Sequence, residues 1–154
     1  MTVQAGDTAQ YPVQYGFWMD NLKLNVRYWG VIGANSGSFA NTVIKNITIS
    51  SIKLPVSTNS SSAYFGIFGY NGSTIDSVTA SDYQFASLST VNPTSGAATA
   101  MTDYAFIYYN NAAVKNTSIS YPSTPAGYAV YKTNKGTFDA NCKLYVDGTL
   151  TPIK

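Results

Sequence analysis

The chain has no histidine and no glutamate, one cysteine (Cys142) and one arginine (Arg27). Histidine is the side chain that titrates near neutrality, so Ser–His and Cys–His nucleophile pairs and His-ligated zinc or iron are excluded. No enzymatic activity, cofactor or metal is expected. Cys142 has no partner for an internal disulfide, and without a histidine to activate it, it reads as an inert thiol on the apolar face of the last strand. Charge is also scarce. Charged residues make up 10% of the sequence, against about 25% in an ordinary soluble domain. The net charge of +2 comes from scattered lysines with no run of three, which excludes the basic stripe that nucleic-acid backbones require. No apolar run approaches the roughly 20 residues of a transmembrane helix. Residues 1–20 lack both the basic start and the apolar stretch of a signal peptide, so no export signal is expected there.

What is present is aromatic and polar but un-ionised: 13 Tyr, 7 Phe and 2 Trp among abundant Ser, Thr and Asn. This composition suits a half-buried pleated surface, and the absence of Glu with few Leu argues against long helices. A length of 154 residues fits one domain. Leu22, Leu24, Val26 and Tyr28 alternate with Lys23, Asn25, Arg27 and Trp29, the two-residue period of a strand with one apolar face. Between Val43 and Leu54 the apolar phase changes, and a bulge at Ser50-Ser51 is the expected cause.

Four aromatic or apolar runs each reach an asparagine-containing turn: before Asn35-Ser36-Gly37, Asn71-Gly72, Asn110-Asn111 and Asn134-Lys135-Gly136. Asn and Gly tolerate the positive φ of tight reversals. The punctuation predicts about eight strands, near 22–33, 41–54, 63–70, 74–80, 104–109, 113–121, 128–133 and 140–153. Residues 1–21 read as an arm ahead of a single domain over 22–154, with Tyr11, Tyr15, Phe17 and Trp18 as aromatics that must dock. Residues 81–102 are too long for a passive connection and are expected to cover the sheet or meet a neighbour, with room for a short helical turn. The expected fold is all-β: about eight antiparallel strands in a two-sheet sandwich of jelly-roll type, with a right-handed β-solenoid as the alternative.

Candidate sites are few. The seven Asp residues show no calcium-loop spacing and suit turns. Asn46, Asn59, Asn71 and Asn116 head N-x-S/T sequons, about as many as chance provides. Asn59 has the most loop-like setting and is the candidate for glycosylation, whereas Asn71 is explained by its turn. Alternation assigns Phe65, Ile67, Phe106 and Tyr108 to the core. It turns Tyr64, Phe68, Tyr70, Tyr109 and Tyr131 outward, more aromatics than a free monomer exposes. Tyr64, Phe68 and Tyr70, with the four arm aromatics, are therefore the expected self-association residues.

The runs YFGIFGYNGS, YAFIYYNNAA and NITISSIKLPV, the uncharged arm and the His-free composition together resemble the single jelly-roll capsid proteins of icosahedral viruses, including viruses of hot-spring archaea. The resemblance implies a structural subunit of a virion whose partners are other copies and other subunits of the same shell. The missing basic arm sets it apart from capsid proteins that touch the genome. The alternatives are an extracellular filament subunit that completes a neighbour's sheet with a strand, and a carbohydrate-binding or adhesin domain at a cell surface.

Overall fold

The four runs that end in asparagine each form a strand, and these strands stack side by side. A computed structural model describes residues 2–4, 28–50, 53–55, 64–86, 88–92, 95–124 and 127–153. In chain order the strands are β1 (Thr2–Gln4), β2 (Tyr28–Asn35), β3 (Phe39–Ser50), β4 (Lys53–Pro55), β5 (Tyr64–Asn71), β6 (Ile75–Ala86), β7 (Ser89–Val91) and β8 (Ala98–Ala100). They continue with β9 (Tyr104–Asn110), β10 (Ala113–Lys115), β11 (Ser118–Tyr121), β12 (Tyr128–Asn134), β13 (Thr137–Phe138), β14 (Lys143–Val146) and β15 (Thr149–Thr151). No helix occurs among the described residues. The fold is all-β and layered, as expected.

The pairing is not the expected antiparallel one. A first sheet runs β2, β5, β9, β12 with every neighbour parallel. A second sheet runs β1, β3, β6, β11, β14, β15, with β10 beside β6 and β13 beside β10, and is parallel except for β14–β15. A third, small sheet joins β4, β7 and β8. At each of the four asparagine turns the chain leaves the first sheet for the second (β2 to β3, β5 to β6, β9 to β10, β12 to β13), and after each of the first three it returns one strand further along. The Asn turns are thus corners between layers, and the hairpins of a jelly roll are absent from them. Asn-Gly chemistry serves both kinds of reversal, since each requires only a sharp change of direction.

Register in the first sheet aligns the repeats residue for residue. Trp29 pairs with Phe65, Gly30 with Gly66, Ile32 with Phe68 and Asn35 with Asn71, while Phe68 faces Ile107 and Ile107 faces Tyr131. The close approach of neighbouring backbones selects glycine early in the repeat: a Cβ on Gly30 would sit 2.4 Å from the Gly66 carbonyl oxygen. Beyond that point, simple alternation fails. Phe65, Ile67 and Phe68 are all buried, and Phe106 and Ile107 likewise. The outward assignment of Phe68 is therefore corrected: its ring lies between Phe39 of the second sheet at 5.1 Å and Phe106 at 5.4 Å, both edge-to-face. Tyr108, expected inside, is only half-buried, as are Tyr70, Tyr109 and Tyr131.

In the second sheet the inward residues of β6 are Ile75, Val78, Ala80, Tyr83 and Phe85, at steps of three, two, three and two. Each step of three spans a left-handed residue, Ser77 (φ 54°) or Asp82 (φ 51°). Equivalent bends occur in the neighbouring strand at Asn41 (φ 51°) and Asn46 (φ 56°), and in the next circuit at Asn116 (φ 47°). Asn and Asp are the non-glycine residues that adopt this region most readily. A phase change in this strand falls at Asn46: Thr42 and Ile44 point inward before it, Ile47 after it, and Val43 is exposed. The bulge expected at Ser50-Ser51 extends beyond the described residues, since Ser51 lies outside them. Bending a long strand in this way wraps its apolar face around a single core joining both layers.

The segment 81–102 divides into the end of β6 and the antiparallel β7–β8 hairpin, which lies on β4. The expected last strand is two strands, β14 and β15, joined by Asp147 (φ 49°) and Gly148 (φ 75°). This Asp-Gly pair is a hairpin turn with both central residues at positive φ.

Candidate functional site

The corner asparagines build the most ordered polar structure in the molecule. Asn35 Nδ2 donates to Asn71 Oδ1 (2.8 Å), Asn71 Nδ2 to Asn110 Oδ1 (2.7 Å), and Asn110 Nδ2 to Asn134 Oδ1 (2.8 Å). Asn35, Asn71 and Asn110 are buried. Backbone bonds join the same circuits in the opposite sense, the later circuit donating: Gly72 N to Asn35 O, Asn111 N to Asn71 O and Lys135 N to Asn110 O. Neighbouring groups fix the sense of the ladder, because Asn35 Nδ2 also donates to Ser73 O (3.1 Å) and Asn134 Oδ1 also accepts from Gly136 N (3.1 Å). The ladder is therefore polar. Among the described residues no donor reaches Asn35 Oδ1 and no acceptor receives Asn134 Nδ2.

The ends of the ladder coincide with the ends of the first sheet. Among the described residues β2 pairs only with β5, and β12 only with β9, so within that set each presents a row of outward N–H and C=O groups. At the β12 end the second sheet continues to β15, leaving a groove of about 290 Å³ lined by Tyr121, Tyr128, Tyr131, Leu144, Val146 and Thr151. Tyr121 and Tyr128 stack there at 5.8 Å, and the Tyr128 hydroxyl accepts from Phe85 N (2.9 Å). Beneath them Tyr83 is fully buried, and among the described residues its hydroxyl has no hydrogen-bond partner.

Burial raises the pKa of Tyr83 well above its ordinary value and also raises those of Tyr121 and Tyr128. A raised pKa in the folded state means stability that is complete below the unfolded tyrosine value of about 10 and is lost as pH climbs through the folded values. Alkaline titration is expected to show the exposed tyrosines ionising first, then a late, cooperative tyrosinate step coincident with loss of the strand circular-dichroism signal. Gradual ionisation of every tyrosine with the fold intact would contradict this.

The other candidate residues lie apart. Cys142 is half-buried against the core, its thiol donating to Val114 O at 3.3 Å, and burial pushes its pKa up to about 11. Asp139 accepts from the backbone N–H of Asn116 and Asn141, Asp76 from Asn116 Nδ2, and Asp147 from Ser123 N. These carboxylates hold turns. No group of three or more His, Cys, Asp or Glu side chains able to hold a metal occurs among the described residues. Asn46 and Asn116 are exposed, whereas Asn71 is enclosed in the ladder. Asn59, Tyr11, Tyr15, Phe17 and Trp18 lie outside the described residues, as does the side chain of Tyr64. Tyr70 sits beside Tyr109 at 5.7 Å, and Lys135 lies over the Tyr109 ring. No helix among the described residues is long and apolar enough to cross a membrane.

Spacing alone did not expose the ladder, because its rungs are 36, 39 and 24 residues apart. The available signal was the recurrence of asparagine at the same place in four aromatic runs. Compared with family models, curated proteins and solved structures, the chain finds no match.

Proposed function

We propose that the chain is a β-solenoid acting as a non-enzymatic structural subunit, which associates with other copies of itself and with other subunits of the same assembly. The observation that carries this reading is that β2 and β12, at the two ends of one sheet, have no strand on their outer edges among the described residues. Few charges protect these edges. Glu is absent and charged residues are 10% of the chain, whereas proteins that stay monomeric commonly guard open edges with charge. Edges at opposite ends favour linear growth, so a filament, on a virion or at a cell surface, fits better than a closed shell. The capsid-type resemblance retains the support of composition; parallel pairing removes the support it drew from a jelly roll.

The test is sedimentation velocity and negative-stain microscopy of the purified chain over a range of concentrations. Assembled particles or filaments are expected. A chain that stays monomeric at high concentration and is retained by immobilised glycans would replace this reading with that of a carbohydrate-binding module.

A further inference from the structure

We propose that a second copy of this chain docks head to tail, its β2 lying parallel to β12 and its Asn35 Oδ1 accepting from Asn134 Nδ2, and that β1 and β15 are caps that must leave before this contact forms. The inference rests on the self-assembly reading and names its interface.

Complementarity is the first argument. Asn134 ends the ladder with a donor and Asn35 begins it with an acceptor, so the junction of two copies reproduces the bond made inside each. The strands also match. β2 and β12 belong to one parallel sheet in continuous register, so Val31 of one copy would fall beside Val130 of the next, and Ile32 beside Tyr131. Val31, exposed at 39% in a single chain, would be covered.

The second argument concerns what stands in the way. The second sheet extends one strand beyond each end of the first: β1 beyond β3, and β15 beyond β14. Seating the incoming β2 on β12 would put its β3 where β15 lies and its β1 where β14 lies. One copy's β15 and the other's β1 must therefore swing away. Among the described residues each is held by three residue pairs, and Leu150 in β15 is 63% exposed, so within β15 itself little apolar burial opposes release, Ile153 beyond it being the side chain that packs on the core. Short caps on an otherwise open edge are a common guard against edge pairing.

The experiment uses the full-length chain. Val3→Pro with Thr151→Pro puts a proline at the centre of β1 and removes from β15 the N–H of the hydrogen-bonded Leu144–Thr151 pair, and is expected to give filaments with a repeat of about 4.8 Å along their axis. Adding Asn134→Asp keeps the acceptor for Asn110 and Gly136 but removes the free donor, and filaments should be lost. Asn111→Asp, the same charge on an exposed neighbour outside the ladder, should leave them. A folded double-proline variant that stays monomeric, or filaments that survive Asn134→Asp, would overturn the proposal. Should the proline variant not fold, Ala34→Cys with Thr133→Cys in a Cys142→Ser background gives a second reading, since these positions would adjoin across the junction whenever the weakly held caps open, and prolonged oxidation traps the contact. Oxidation should yield disulfide-linked multimers, and their absence would overturn the proposal. If the parent chain assembles while both designs fail, only this interface is wrong. If nothing assembles, the structural-subunit reading falls with it.

Discussion

Replacing Phe68 by Lys is expected to unfold the protein, not to leave a folded subunit unable to assemble. Phe68 is fully buried, with Phe39 and Phe106 edge-on at 5.1 and 5.4 Å. Truncating a buried phenylalanine costs about 3–5 kcal/mol, and an unpaired ammonium in the same site adds the cost of a desolvated charge. Net stabilities of about 5–15 kcal/mol leave little after such a loss. Phe68→Leu, which keeps the site apolar, should remain folded with a loss of about 1–2 kcal/mol. Far-ultraviolet circular dichroism with denaturant titration separates the outcomes. A soluble Phe68→Lys chain melting like the parent would place this side chain on the surface and sink the core assignment.

Phe68 also marks the limit of what the residues disclosed. Strand content, the four aromatic runs and their asparagine ends were legible, because β-propensity and turn chemistry act locally. Which face each residue occupies was not. Period-two reading assumes an unbroken strand with one buried face. In β3 and β6, Asn41, Asn46, Ser77 and Asp82 bend the strand through left-handed φ, shifting the inward phase by one residue at each bend, whereas in β5 Phe65, Ile67 and Phe68 are all buried with no such bend between them. Such bends are invisible to a hydrophobicity pattern, although an Asn, Asp or Ser between apolar residues three apart is their trace. Parallel pairing was hidden for another reason. The excursions between circuits differ in length, the β7–β8 hairpin lengthening one of them, so the repeat has no fixed period although its rungs align one to one. The candidate site shared this fate: each asparagine was recognised as a turn residue, but only parallel, in-register stacking makes the four turns corners and joins them in a ladder.

Asn71→Leu should therefore cost far more than the loss of a turn residue, because Asn71 sits mid-ladder and is completely buried. Leucine, of similar size, fills the space but leaves Asn110 Oδ1 with only the long contact to Ala112 N at 3.5 Å, while Asn35 Nδ2 falls back on Ser73 O at 3.1 Å. A buried acceptor without a partner costs about 1–3 kcal/mol and each lost bond about 1 kcal/mol, giving a total loss of about 2–4 kcal/mol. Asn71→Asp is the sharper probe. Its carboxylate can still accept from Asn35 Nδ2, but its other oxygen faces Asn110 Oδ1, so the ionised form is disfavoured and its pKa in the folded state should rise. A carboxyl with a raised folded pKa gives stability that is present below its unfolded value of about 3.9 and lost as pH rises through the folded value. This variant should recover stability on acidification. The parent should do the reverse. Hydrogen bonds from Asn116 to Asp76 and from Ser123 to Asp147 hold those carboxyls below their ordinary value. Their contribution is present above that value and fades as pH falls through the folded ones. Denaturant midpoints measured from pH 7 down to pH 3 should thus converge for Asn71→Asp and the parent. Parallel curves would mean that Asn71 donates nothing to Asn110, and that the asparagines are only corners after all.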